Sequence, residues 1–275
     1  MKPAPFDYVC AKNRAEVLAV LREAGAEARV LAGGQSLLPM LNMRLARPGV
    51  LVDIMRVQEL QQVADGSAAL RIGAAVRQAE LERLPNLARR HKLLAAALPW
   101  VGHVQTRSRG TICGSIAHAD PSAELPLVLL ALRGEVHLRS HRRARRVPAE
   151  IFFTAMMTTA RQDDELIEAV SVPAARPGHG YAFREVARRH GDFAIVACAA
   201  VVDGVSARLA VGGVADRPVA RMLPSADAPG LDEALDAFAW ALDARDDFHA
   251  TAAYRRELVR RVGRAVIEEA ASCRG

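Results

Sequence analysis

Aromatic residues make up only 4% of the chain, and its four cysteines (Cys10, Cys113, Cys198 and Cys273) lie far apart. No two of them have the close spacing of a zinc or iron–sulfur ligand set, so the chain is expected to hold no metal of its own. A disulfide framework is not needed either, because 275 residues can bury a core unaided. Long apolar runs are missing. The longest, Phe193 to Val202, is too short to span a bilayer. The N-terminus, with Lys2, Pro3, Pro5 and Asp7, has no apolar stretch and does not read as a signal peptide. The cytoplasm, with reduced thiols, is therefore the expected compartment. Neither GxGxxG nor GxxxxGK[ST] occurs, which leaves a Rossmann fingerprint and a Walker P-loop unsupported. No catalytic triad or carboxylate pair stands out.

Charge is present in excess of one sign. Lys and Arg number 37 against 31 Asp and Glu, for a net charge of +6 and a pI near 9.6. The densest run is Arg139 to Arg146 (RSHRRARR). It could bind a phosphate backbone or an acidic partner, or it could be a solvated hairpin in an Arg-rich chain. No aromatic is interleaved with these arginines, so bases would have nothing to stack on. The hairpin is the preferred reading, and no nucleic acid is expected as a partner.

Apolar spacing organises the chain as mixed α and β. Asn13 and Glu16 form a capping box before the helical pattern Val17, Val20, Leu21, Ala24, with Gly25 as the stop. Ala28 to Leu31 and Val50 to Ile54 read as buried strands, as do Leu70 to Ile72, Glu135 to Leu138, Ile167 to Val172 and Gly180 to Val186. Ile195 to Val202 and Ser206 to Val211 make a hairpin around Asp203-Gly204. Leu231 to Leu242 and Thr251 to Ala271 close the chain as helices, the second carrying Arg255, Arg256, Arg260, Arg261 and Arg264 on what reads as a solvated face. Pro173 to His179 is the best candidate for a domain boundary.

Two glycine-bearing loops carry the functional signal. Ala32-Gly33-Gly34-Gln35-Ser36 follows a strand directly, and Thr111-Ile112-Cys113-Gly114-Ser115 repeats the same chemistry. Glycine permits positive φ and leaves backbone N–H groups uncovered. Consecutive N–H groups with nearby hydroxyls make a concavity for an anion. One such loop is more often a tight strand–turn connection. Two can close on a dinucleotide pyrophosphate from both sides.

The stretches Val30 to Pro48 (VLAGGQSLLPMLNMRLARP), Thr106 to Pro126 (TRSRGTICGSIAHADPSAELP) and Phe183 to Val196 (FREVARRHGDFAIV) together resemble the FAD-binding medium subunit of molybdenum hydroxylases. That family includes xanthine dehydrogenases and aerobic carbon monoxide dehydrogenases. The resemblance implies an α+β fold: a two-subdomain FAD-binding domain of the vanillyl-alcohol oxidase (PCMH) type, then a small α+β C-terminal domain. The expected division is 1–175, with subdomains of about 1–55 and 56–175, then 176–275. It implies that Ala32, Gly33, Gly34, Gln35 and Ser36, with Thr111, Ile112, Cys113, Gly114 and Ser115, hold the FAD pyrophosphate. Glu124 would lie near the ribose and adenine. Arg184 would take the place of a lysine near the flavin, and Asp192 and Phe193 would approach the isoalloxazine edge. It further implies partners: a large molybdopterin-binding subunit and a small [2Fe–2S] subunit, assembled as a dimer of heterotrimers. Electrons would pass from the clusters to FAD and on to oxygen, NAD or a quinone.

Cys113 departs from the family's usual glycine, and a cysteine at positive φ would be strained. Either the position has ordinary φ or the loop is altered, and a packed, inert thiol is favoured over a reactive one. His103, His118 and His190 read as loop histidines rather than tuned groups. Arg107 and Arg109 could offset phosphate charge or lie on the surface. The competing functions are a stand-alone FAD-dependent oxidase or reductase of the same fold and a basic nucleic-acid module.

Overall fold

The computed structural model describes residues 2–274. The chain begins with a parallel three-stranded sheet in the order Asp7–Cys10, Val50–Asp53, Ala28–Leu31. The helix Arg14–Ala24 bridges its strands. Asn13 caps it by accepting the Glu16 N–H at 3.0 Å, while Glu16 accepts the Lys12 N–H at 2.7 Å. Val17, Leu18 and Leu21 form its buried stripe, and Gly25 ends it at φ +50°.

An antiparallel five-stranded sheet follows, in the order Val63–Asp65, Ala69–Gly73, Leu166–Pro173, Glu135–Arg139, Ala144–Pro148. The basic run is the tight hairpin of its last two strands. It is not simply a solvated face. Glu165 and Glu168, both buried, draw its arginines inward. Arg145 binds Glu165 through two 2.7 Å hydrogen bonds, Arg143 reaches the same carboxylate at 3.5 Å, and Arg139 binds Glu168 at 2.9 Å. Burial alone would raise the Glu165 carboxyl, but the Arg145 hydrogen bonds and the nearby guanidiniums hold it below the usual carboxylate range.

Across residues 174–179 the chain enters a four-stranded antiparallel meander, Gly180–Val186, Val196–Val202, Ser206–Gly212 and Val219–Pro224. Successive side chains of a strand point to opposite faces. Tyr181, Phe183, Ala197, Ala199 and Ala210 therefore pack into the core shared with the preceding sheets. Ala182, Cys198, Ala200, Leu209 and Val211 pack instead under the helices Leu231–Ala241 and Ala252–Ser272. The helix Glu124–Ala131 is buried on every side, between the meander and the helices Lys92–Ala97 and Ile112–His118, which is why its sequence ELPLVLLA is almost wholly apolar.

The last helix corrects one expectation. Arg255 is not on a solvated face. It falls on the same helical stripe as Leu258, Val259 and Val266, and is buried with them. Its guanidinium donates to the Ile195 carbonyl at 2.7 Å and the Gly213 carbonyl at 2.5 Å, and pairs with Asp247 at 2.5 Å. Arg260, Arg261 and Arg264 do lie outward, in pairs with Asp232, Asp236, Glu257 and Glu268. No described helix is long and apolar enough to cross a membrane.

Candidate functional site

The two glycine loops meet at the centre of a cleft of about 730 Å³. The first loop leaves the carboxyl end of the strand Ala28–Leu31 and turns at Gly34, whose φ of +72° suits glycine. Gly33 touches the second loop so closely that a Cβ there would lie 2.1 Å from the Arg109 carbonyl oxygen and 2.7 Å from Gly110 Cα. Among the described residues, the N–H groups of Gly33, Gly34, Gln35 and Ser36 have no acceptor. Four consecutive unpaired N–H groups in a loop that lines a cleft are the backbone chemistry that an anion would satisfy.

The second loop is the start of the helix Ile112–His118. Thr111 caps it by accepting the Gly114 N–H at 3.0 Å, which leaves its own O–H free to donate. A side chain at position 114 would disturb this cap, because its Cβ would lie 2.7 Å from Thr111 Oγ1. Cys113 has ordinary helical backbone, so no strain arises from replacing a glycine there. Its thiol is buried, 3.6 Å from the Ile72 carbonyl, and burial pushes it up to about 12. It is a packed, unreactive thiol, and position 113 offers the cleft its backbone alone.

Of the residues expected at the site, Ala32, Gly33, Gly34, Gln35, Ser36, Thr111, Cys113, Gly114, Ser115, Glu124, Asp192 and Phe193 line the cleft. Ile112 and Arg184 do not. Ile112 is buried in the core behind the loop. Arg184 lies on the other face of its strand, where it binds Glu269 of the last helix at 2.6 Å. Its neighbour Glu185 has the opposite parity, shared with Phe183 and Tyr181, and both its carboxylate oxygens are buried with no hydrogen-bond partner. Burial pushes the Glu185 carboxyl up to about 7. Glu124, 5% exposed at the first turn of its helix, is pushed up to about 8 by burial, helped by the charges of Glu185 and Asp120. A carboxyl raised this way favours its protonated form, which can donate as well as accept.

The loop Gly191–Phe193 closes one flank of the cleft. Gly191, at φ +84°, packs so closely on His103 that a Cβ would lie 2.6 Å from its ring. The His190 ring lies there between two others, its centroid 5.3 Å from that of Trp100 and 6.5 Å from that of His103. Phe193 is 63% exposed at the rim. Arg29, His118, Thr159, Arg161 and Glu165 also line the cleft. Burial, and then the charge of Arg29, lower the Arg161 guanidinium from its ordinary range. Gln78, Arg29, Arg161 and Glu185 escaped the reading of the sequence because none belongs to a motif. Only the alternation of strand Gly180–Val186 carried a signal, and it favoured Glu185 over Arg184 as the inward residue.

This arrangement, two glycine loops in contact on one cleft, is that of a dinucleotide-binding protein. Residues 4–175 match the FAD binding domain in molybdopterin dehydrogenase, and residues 181–270 match the CO dehydrogenase flavoprotein C-terminal domain. The chain belongs to this flavoprotein family. It is 43% identical over 202 residues to the 6-hydroxypseudooxynicotine dehydrogenase complex subunit alpha of Paenarthrobacter nicotinovorans, covering 74% of this chain and 68% of that one. It is 36% identical over 258 residues to the nicotine 6-hydroxylase medium subunit of the same organism, covering 89% and 90%. Its fold matches a chain of the reconstituted CO dehydrogenase from Oligotropha carboxidovorans with a TM-score of 0.94, at 30% identity over 99% of this chain and 100% of that one. FAD is the cofactor of this family's first domain. The free N–H groups of the first loop, the close approach at Gly33 and the cleft's volume, which falls within the roughly 300–1,000 Å³ of small-molecule sites, fit that group.

Proposed function

We propose that this chain is the FAD-carrying electron-transfer subunit of a molybdenum hydroxylase, receiving electrons from the [2Fe–2S] clusters of a small subunit and delivering them to an external acceptor. The observation that supports it most is the contact between the two loops, which brings the first, with its unpaired N–H groups, against the second, with its Thr111 and Ser115 hydroxyls. Ala32 to Ser36 and Thr111 to Ser115 would hold the pyrophosphate. Protonated Glu124 would donate to an oxygen or ring nitrogen of the nucleotide. Asp192 and Phe193 would border the flavin. Bound there, the flavin accepts and gives up electrons singly or in pairs, and the protein's task is to place and tune it. That task needs no general base from this chain. The hydroxylation belongs to a large molybdopterin-binding subunit, and oxygen, NAD or a quinone takes the electrons. The unit is a dimer of heterotrimers that works in the cytoplasm.

The test is co-expression with candidate large and small subunits. Flavin absorbance in the purified complex should bleach when an organic donor is added anaerobically, and the chain alone with FAD should not respond to that donor. Bleaching in the chain alone would mean a self-sufficient oxidase or reductase instead.

A further inference from the structure

Among the described residues Arg255 is the only buried arginine or lysine. A buried cation persists only where partners offset the water it has lost. Asp247 is one partner, at 2.5 Å, and is itself fixed by accepting the His249 and Ala250 N–H groups at 2.8 and 2.9 Å. The other two are backbone. A single nitrogen, Nη1, donates to the Ile195 carbonyl at 2.7 Å and to the Gly213 carbonyl at 2.5 Å. Two carbonyl oxygens repel each other, and the cationic donor between them is what lets them converge.

Both carbonyls belong to segments that reach the cleft. Ile195 closes the loop between the strands Gly180–Val186 and Val196–Val202, its N–H donating to the Val186 carbonyl at 2.8 Å. Asp192 and Phe193 of that loop line the cleft. Gly213, at φ +80°, lies so close to the loop that a Cβ there would come within 2.8 Å of the Ala194 and Ile195 carbonyl oxygens. Its N–H donates to the Pro121 carbonyl at 2.8 Å, beside the cleft residues Asp120 and Ala123. The hydrogen bonds of Asp192 stay inside the loop, from its N–H to the Arg189 carbonyl at 3.1 Å and from Arg189 Nε to its carboxylate at 3.3 Å. The loop is therefore placed by its ends: Gly191 against His103, and Ile195 against Arg255 and Gly213.

The structure assigns Arg255 a positioning role: from the last helix it fixes the Ile195 end of the loop and so sets Asp192 and Phe193 against the isoalloxazine. This rests on the flavin reading above, in which that loop borders the flavin. Arg255 touches no ligand. Without it two buried carbonyls face each other unpaired, and the loop end must move to relieve them. ADP shares the pyrophosphate and adenosine of FAD but gives this loop no flavin to border.

The experiment compares the native chain with Arg255→Met and Arg255→Lys, each checked by a thermal melt. Lysine keeps the charge but not the planar fork, so it should fall between the other two in both readouts, and it carries them if the methionine variant does not fold. Trypsin is added to the ligand-free proteins. Cutting after Arg188 and Arg189, both exposed on the loop, should quicken about tenfold in Arg255→Met, while cutting after the exposed Arg142 of the distant hairpin keeps its native rate. In titrations Arg255→Met should bind FAD about tenfold more weakly and ADP as the native chain does. Unchanged cutting of the loop, a parallel rise at Arg142, or equal weakening of FAD and ADP overturns the positioning role and leaves the flavin reading intact. Loop-specific cutting with both affinities unchanged overturns the placing of this loop at the flavin, and the role of Arg255 with it.

Discussion

Replacing Gly33 with alanine sets a methyl carbon 2.1 Å from the Arg109 carbonyl oxygen and 2.7 Å from Gly110 Cα. Real side-chain carbons do not approach closer than 3.0 Å, so the two loops must part by the difference, 3.0 minus 2.1, or 0.9 Å. Both partners are backbone, and no flexible side chain can swing away to absorb the strain. Hydrogen bonds to a charged group contribute about 1.5–3 kcal/mol each. A parting of this size takes two donors out of reach of a pyrophosphate, a loss of about 3–6 kcal/mol. FAD affinity should therefore fall by about two to four decades. Quenching of flavin fluorescence on titration of the protein measures this directly. Gly25→Ala is the control, because Gly25 also has positive φ, at +50°, but a Cβ there meets nothing within 4 Å. It should cost about 1–2 kcal/mol of stability without touching FAD affinity. The reasoning fails if Gly33→Ala, folded by its thermal melt, binds FAD within threefold of the native protein.

Glu185 gives a pH signature. Its folded-state pKa of about 7 lies above its ordinary 4.5, so the folded protein keeps a proton that the unfolded chain loses, and stability falls as pH rises through that window. Glu185→Gln should gain on the native protein by about 1–2 kcal/mol between pH 4.5 and 8 in urea melts, a figure reduced from the full shift for solvent screening. A gain that is the same at every pH contradicts the buried, unpaired carboxyl. Arg145→Met leaves Glu165, 1% exposed, without its two-pronged partner and should cost about 3 kcal/mol. Exposed Arg142→Met in the same run should cost under about 0.5 kcal/mol, and equal effects in denaturant melts would show the run to be uniform surface. A thiol reagent at pH 8 should modify Cys273 in the native protein and reach Cys113 and Cys198 only after unfolding. Mass spectrometry that finds native Cys113 modified contradicts its packing.

Most of the secondary structure was legible because the chain's local signals agree. The Asn13–Glu16 cap, the Gly25 stop and the Asp203-Gly204 turn each state an element boundary in adjacent residues. Both glycine loops were legible because the same run of glycine and small hydroxyl residues occurs twice, which a tight turn alone does not call for. What stayed hidden depends on parity and distance. Arg184 and Glu185 differ by one step along a strand, and that step sends one to the last helix and the other toward Glu124. The inward pull on the basic run comes from Glu165 and Glu168, about twenty or more residues further on. Gln78 stands 33 residues from the Thr111 it contacts, and a lone glutamine carries no pattern. Arg255 reads as one more surface arginine until its place beside Leu258 and Val259 turns it inward.

The central claim is that two loops grip one pyrophosphate, and the most direct test is equilibrium binding of FAD, ADP and FMN to the purified chain. FAD should bind one to one with a flavin visible spectrum, ADP should compete with it, and FMN, which lacks the pyrophosphate, should bind at least a hundredfold more weakly. FMN binding as tightly as FAD, or ADP failing to compete, would contradict the claim.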